Sequence, residues 1–182
     1  MKDSLKLVTS LSMICLVCAF LVAAAHDVTL EPIKAAEEAQ KRDAILAVLP
    51  ELGEVETKTI SLDNGDVVEY YETAAGRAVE VSVKNGYSGE IRLMLGFSND
   101  GKFWSYKVLA HAETPGLGAH ISGSFIDNVK QRDAFSTKWK VKNDGGDIVP
   151  ITAATISSRA VCGAIERGVE IIKAIQEQAI QE

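Results

Sequence analysis

Two stretches of this chain carry residue types that could do chemistry. The run Ile151-Thr152-Ala153-Ala154-Thr155-Ile156-Ser157-Ser158-Arg159 gathers four hydroxyls among small residues where an amphipathic segment begins. Hydroxyls at a helix start can cap the first backbone N–H groups, which have no partner inside the helix. The same start can hold an anion such as a phosphate, because free N–H groups and the helix dipole both favour negative charge. Arg159 would add positive charge there. The residues by themselves allow both uses.

Upstream, Glu113-Thr114-Pro115-Gly116-Leu117-Gly118 is turn chemistry. Proline presets φ at the second position of a turn and glycine accepts the positive φ of the third, so Thr114 to Leu117 suits a type II turn. It reads either as a tight strand-to-helix connection or as a bend through which a planar ring reaches main-chain polar groups. His111 and His120 flank the bend, but without a cysteine or close carboxylate spacing they make a poor zinc signature. No serine pairs with histidine and aspartate in a nucleophile-elbow pattern, which argues against a hydrolase.

Elements must position these stretches. Residues 34 to 48 are strong helix formers with a narrow apolar stripe, and Pro50 is expected to stop them. Short β-rich runs follow at Lys58 to Leu62, Val67 to Glu72, Ala78 to Val83, Ile91 to Phe97 and Phe103 to Ala110. Between them lie Asp63-Asn64-Gly65-Asp66, Ala75-Gly76, Asn85-Gly86 and Asn99-Asp100-Gly101, clusters that supply positive φ in hairpin turns. The pattern predicts an antiparallel meander, a short helix over Ser124 to Ala134, a strand at Trp139-Lys140-Val141 and a loop at Asn143-Asp144-Gly145-Gly146. A final helix from near Ser157 would bury Val161, Ile165, Val169, Ile172 and Ile175 as one stripe. The expected fold class is α+β, a twisted antiparallel sheet flanked by helices, preceded by a single N-terminal transmembrane helix.

The 182 residues, 47% hydrophobic and 24% charged, suit one folded domain after a targeting segment. A net charge of -6 excludes a nucleic-acid role, since phosphates would repel the chain. From Leu7 to Ala25 there is no charged residue, close to the roughly 20 needed to span a bilayer. Lys2 and Lys6 precede the run while Asp27 and Glu31 follow it, which by the positive-inside rule puts the C-terminal domain outside the cytoplasm. Ala23-Ala24-Ala25 also offers a signal-peptidase site, so an uncleaved anchor and a cleaved signal both lead to export. Cys15 and Cys18 share the apolar run, where thiolates are disfavoured, and Cys162 is expected to be buried on a helix face.

The two stretches, in this order behind an N-terminal anchor, resemble the FMN-binding domain shared by the G subunit of the Rnf electron-transport complex and the C subunit of the sodium-pumping NADH:quinone oxidoreductase. Asn85-Gly86-Tyr87-Ser88-Gly89-Glu90-Ile91 with Gly96-Phe97, then Glu113 to Gly118, then Thr152 to Thr155 carry the likeness, which spans about residues 34 to 178. The short chain resembles the Rnf protein more closely. The resemblance implies FMN joined through its 5′-phosphate to the hydroxyl of Thr155, the last residue of an S/T-G-A-T motif, by a separate flavin transferase that uses FAD. It implies that Thr152 is the motif's first hydroxyl, with Ala153 and Ala154 between, and that Thr114 and Leu117 lie against the flavin in a loop completed by Glu113, Gly116 and Gly118. Two positions depart from the family pattern. Ala153 stands where the motif has glycine, and Val149 where an aspartate is usual, with Asp147 two places earlier. Alanine in a loop that needs a left-handed glycine would be strained.

The resemblance further implies a membrane-anchored flavoprotein subunit of the cell inner membrane, single-pass, with its C-terminal domain facing the periplasm or exterior. It would relay electrons within an ion-translocating Rnf-type complex as an electron-carrying subunit rather than a stand-alone catalyst. Its partners would be the other membrane subunits and the transferase. The C subunit of the quinone reductase and a flavin-free anchored scaffold are the alternatives. The expected organisation is an anchor over residues 1–26, a helical connector over 27–50 and an FMN-binding domain over 51–182.

Overall fold

The computed structural model describes residues 2–49, 54–62 and 65–181 and divides into two units, residues 1–40 and 41–182. A continuous helix, α1 (Lys2–Val48), runs through Pro32. Within Lys6–Val48 lies a stretch long and apolar enough to cross a membrane, with large apolar side chains such as Leu11, Leu16 and Phe20 exposed along it. Pro50, expected to stop the helix, lies outside the described residues.

In the second unit the meander appears as expected. Strands β1 (Glu56–Ser61), β2 (Val67–Thr73), β3 (Gly76–Val83), β4 (Ile91–Ser98), β5 (Lys102–His111) and β6 (Arg132–Asp133) form one antiparallel sheet in sequence order. Alternation sorts the side chains between its faces. Val79, Val81, Leu93, Leu95 and Phe97 join the main core under α3 (Thr155–Gln181). Ala78 and Met94 face the other way, against Ala44, Ile45, Val48 and Leu49 at the end of α1. Strand β4 is therefore buried on both faces. The expected stripe Val161, Ile165, Val169, Ile172 and Ile175 is buried, and Gly168 lets α3 come down on Leu95. Cys162 is buried as expected, and desolvation pushes its thiol up to about 12.

Several local expectations are corrected. Gly65 and Gly101 take positive φ, at 84° and 82°, as hairpin glycines should. Gly76 and Gly86 do not; they are small because a Cβ at either would overlap backbone oxygen, of Phe97 and Gly89 respectively, and the positive φ of the second loop falls on Gly89. The helix expected over Ser124 to Ala134 shrinks to α2 (Ile126–Val129), preceded by a 3-10 turn at Gly118–Ser122. Gln131, at φ 57°, donates its N–H to the Trp104 carbonyl and turns the chain onto the edge of β5, so Arg132–Asp133 pair as β6. Trp139-Lys140-Val141 is no strand. Its backbone bonds close a loop on itself, with Ile148 N–H donating to Lys140 O and Lys142 N–H to Ile148 O, while the Trp139 ring plugs the core edge-on to Phe103. Helix α3 starts at Thr155, two residues before the expected Ser157.

Candidate functional site

The register of the sheet decides what meets what. Ile91 pairs with His111 at the open end of the β4–β5 hairpin, so the chain leaving β5 passes the Asn85–Glu90 loop that enters β4. Glu113, two residues beyond β5, is 4% exposed there. Its Oε1 accepts from the Ser88 N–H at 3.0 Å and its Oε2 from the Ser157 hydroxyl at 2.5 Å. One carboxylate thus ties the loop before β4, the bend after β5 and the first turn of α3. A Cβ on Gly118 would lie 2.5 Å from Glu113 Oε2 and 2.7 Å from Ser157 Oγ, and one on Gly86 2.8 Å from Glu113 Oε1. Both glycines are where the tie needs the room.

The bend has the expected turn. Leu117 N–H donates to Thr114 O at 3.2 Å and Gly116 sits at φ 75°, the third-position conformation of type II. Ala119 N–H shares the Thr114 carbonyl at 3.1 Å, and the buried Tyr106 hydroxyl donates to Ile121 O at 2.5 Å, pinning the following segment to the sheet. Burial raises the Tyr106 phenol above its ordinary value.

A second turn precedes α3. Ala154 N–H donates to Ile151 O at 3.0 Å, and Ala153, the third residue, has φ 62°. A non-glycine residue in the left-handed region is strained by its own Cβ, at about 1–2 kcal/mol. Ala153→Gly is therefore expected to stabilise the fold by about 1 kcal/mol, the net of relieved strain and a freer unfolded chain. Urea melts of the two proteins check it, and an unchanged or lower midpoint would refute the strain.

Among the described residues, none of the hydroxyls from Thr152 to Ser158 caps the first N–H groups of α3. Ser157 donates to Glu113, while Ser158 donates to Ala154 O and accepts from Ile151 N–H. That leaves the backbone N–H groups of Thr155, Ile156 and Ser157, at the head of the helix, available to a ligand. Arg159 does not add charge to this start. It is turned onto Asp144 through two bonds of 2.7 and 2.8 Å, and its guanidinium holds the Asp144 carboxyl below the usual range. Asp147, which accepts from Lys138 N–H, does not stand in for the aspartate missing at Val149.

The two turns and the tie enclose a cavity of about 460 Å³, within the range of small-molecule sites, about 300–1,000 Å³. The bend contributes Glu113, Thr114, Leu117 and Gly118, and the second turn with the helix start contributes Ala153, Ala154 and Thr155. Seven of the nine site residues expected from sequence therefore share one wall system. Thr152 is exposed and, like Gly116, shapes its turn without lining the cavity. Ser157, one of the four hydroxyls at the helix start, also lines it, together with Tyr87 and Ile156, which sequence reading did not single out. Tyr87 belongs to a stretch that carries the family likeness, but nothing local says that its ring reaches the bend. Tyr87, Leu117 and Ile156 are 67, 44 and 46% exposed, apolar surface that a ring in the cavity would cover. His111 is engaged locally, its Nδ1 accepting from Glu113 N–H at 3.0 Å.

Comparison with known proteins matches residues 86–170 to the model of an FMN-binding domain family. The chain is similar to the G subunit of the ion-translocating oxidoreductase complex of Shewanella baltica, 32% identical over 180 residues, covering 87% of this chain and 84% of the relative. The protein of the same name from Cereibacter sphaeroides is 34% identical over 176 residues, covering 88% of this chain and 80% of the relative.

Proposed function

The chain belongs to the family of G subunits of ion-translocating oxidoreductase complexes, and from that premise we propose that it is a membrane-anchored electron carrier with FMN covalently held on Thr155. FMN is its cofactor, and its place is within a multi-subunit complex of that kind. The observation that carries the covalent reading is the single cavity lined both by the Thr114–Gly118 bend and by Thr155 at the head of α3.

The residues suit such a group. The N–H groups of Thr155, Ile156 and Ser157 would hold its phosphate through the helix start, with the Thr155 hydroxyl as the ester oxygen. Tyr87, Leu117 and Ile156 would cover the ring and keep water from it, while the bend offers main-chain polar atoms. When bound, FMN supplies the electron-accepting and electron-donating chemistry that this polypeptide lacks. Exported protein has no cytosolic flavin pool to draw on, so a phosphoester made by a separate flavin transferase prevents loss by dissociation. The apolar stretch of α1 would be the anchor in the inner membrane. Lys6 before it and Asp27 and Glu31 after it favour a C-terminal domain on the periplasmic or outer side.

The test is the intact mass and in-gel flavin fluorescence of the full chain purified from membranes of cells containing a flavin transferase. An added mass of one FMN less water is expected. An apoprotein mass, with a control protein flavinylated in the same cells, would overturn the covalent reading. It would move non-covalent FMN binding or a flavin-free scaffold ahead, the scaffold being a second reading that the strained Ala153 in the motif's glycine position supports.

A further inference from the structure

The cavity that the flavin reading invokes has an uneven charge. Its lining contains the buried carboxylate of Glu113 and, among the described residues, no lysine or arginine. The Glu113 oxygens are engaged by the Ser88 N–H and the Ser157 hydroxyl, both neutral partners. Among the described residues, Glu113 forms no ion pair. Arg159 is committed to Asp144, and His111 turns an acceptor nitrogen toward the Glu113 backbone.

We infer that Glu113, beyond tying the three segments together, tunes the cofactor: its fixed negative charge lowers the midpoint potential of the flavin in this cavity. The inference rests on the flavin reading above. Two-electron reduction of a flavin with uptake of one proton leaves a net negative charge on the ring. A charge of the same sign in a buried wall, where screening is weak, disfavours that product more than the oxidised ring. The Ser88 and Ser157 donors offset the cost of burying the charge without neutralising it.

The experiment compares the flavin-loaded full chain with Glu113→Gln and Ser157→Ala, each titrated with dithionite against reference dyes in detergent after its mass has been checked for bound flavin. Glutamine keeps the shape: its amide oxygen accepts from Ser88 and its amide N–H can donate to the Ser157 hydroxyl. Glu113→Gln is expected to shift the potential to more positive values. Ser157→Ala removes a donor and keeps the charge, so its potential is expected to stay at the wild-type value or fall below it. An unmoved or more negative potential in Glu113→Gln overturns the inference, and so does a rise in Ser157→Ala, which would make the carboxylate a structural tie alone. Flavin mass on the wild type with the wrong shifts rejects only this inference. A wild-type chain without flavin mass rejects the reading beneath it as well.

Discussion

Thr155→Ala is expected to abolish covalent flavin completely while leaving the fold intact. The variant would run at apoprotein mass and give no flavin fluorescence in a denaturing gel, where the wild type gives both signals. The reason for so clean a result is local. Among the described residues the Thr155 hydroxyl makes no hydrogen bond, so nothing in the packing depends on it. At the first position of α3, alanine is also the better helix former. Thr155 is only half-buried, and a substitution there that breaks no such feature changes stability by about 0.5 kcal/mol or less. The measurement is therefore mass together with thermal melting. A variant that keeps the flavin mass would move the attachment to another hydroxyl, and one that melts well below wild type would mean that Thr155 is structural.

Gly96→Ala is expected to give the largest loss of stability. Gly96 lies in the middle of β4, paired with Ala78 on one side and Ser105 on the other, and its α-carbon faces the end of α1. An added Cβ would overlap the Val48 carbonyl oxygen and lie 2.6 Å from its carbonyl carbon. These are backbone atoms, which no rotamer change can move aside. Either the central strand shifts or the end of α1 lifts, uncovering Ala44, Ile45, Val48 and Leu49 and loosening the Lys41–Glu80 pair at 2.8 Å. Burial alone would push the Glu80 carboxyl up, and Lys41 and Arg92 more than offset it, so it sits below its ordinary value and adds to stability at neutral pH. Overpacking of this kind costs about 3 kcal/mol. For a domain of this size that is a fall in Tm of about 10 °C. Melting of the detergent-extracted full chain checks it, and a Tm within a degree or two of wild type would mean that α1 does not press on β4.

The features that the sequence determined by itself obey short-range rules. Alternation between Val67 and Ala110, glycines at Gly65 and Gly101, and the stripe from Val161 to Ile175 each depend on neighbours within a turn or a strand, and each appears in the structure. The uncharged run from Leu7 to Ala25 and the Thr-Pro-Gly-Leu turn are legible for the same reason. The segment from Ser124 to Val141 resisted reading because tertiary demands overrode propensity. Its backbone bonds serve the edge of β5 and a self-closed loop, and Trp139 is placed by the core it fills.

Only the tertiary structure decided the composition of the site. Glu113 and Ser157 are 44 residues apart, and Ser88 and Glu113 are 25 apart, so no periodicity relates them. They meet because the β4–β5 register brings the two loops to one end of the sheet and α3 packs its first turn over that end. The same packing brought Tyr87 and Ile156 into the wall, sent Arg159 to Asp144 and held Ala153 at positive φ. Pattern along a chain reports which groups an element carries. Which groups face one another is set by register and packing between elements, where a shift of one residue would turn each side chain of a strand to the opposite face.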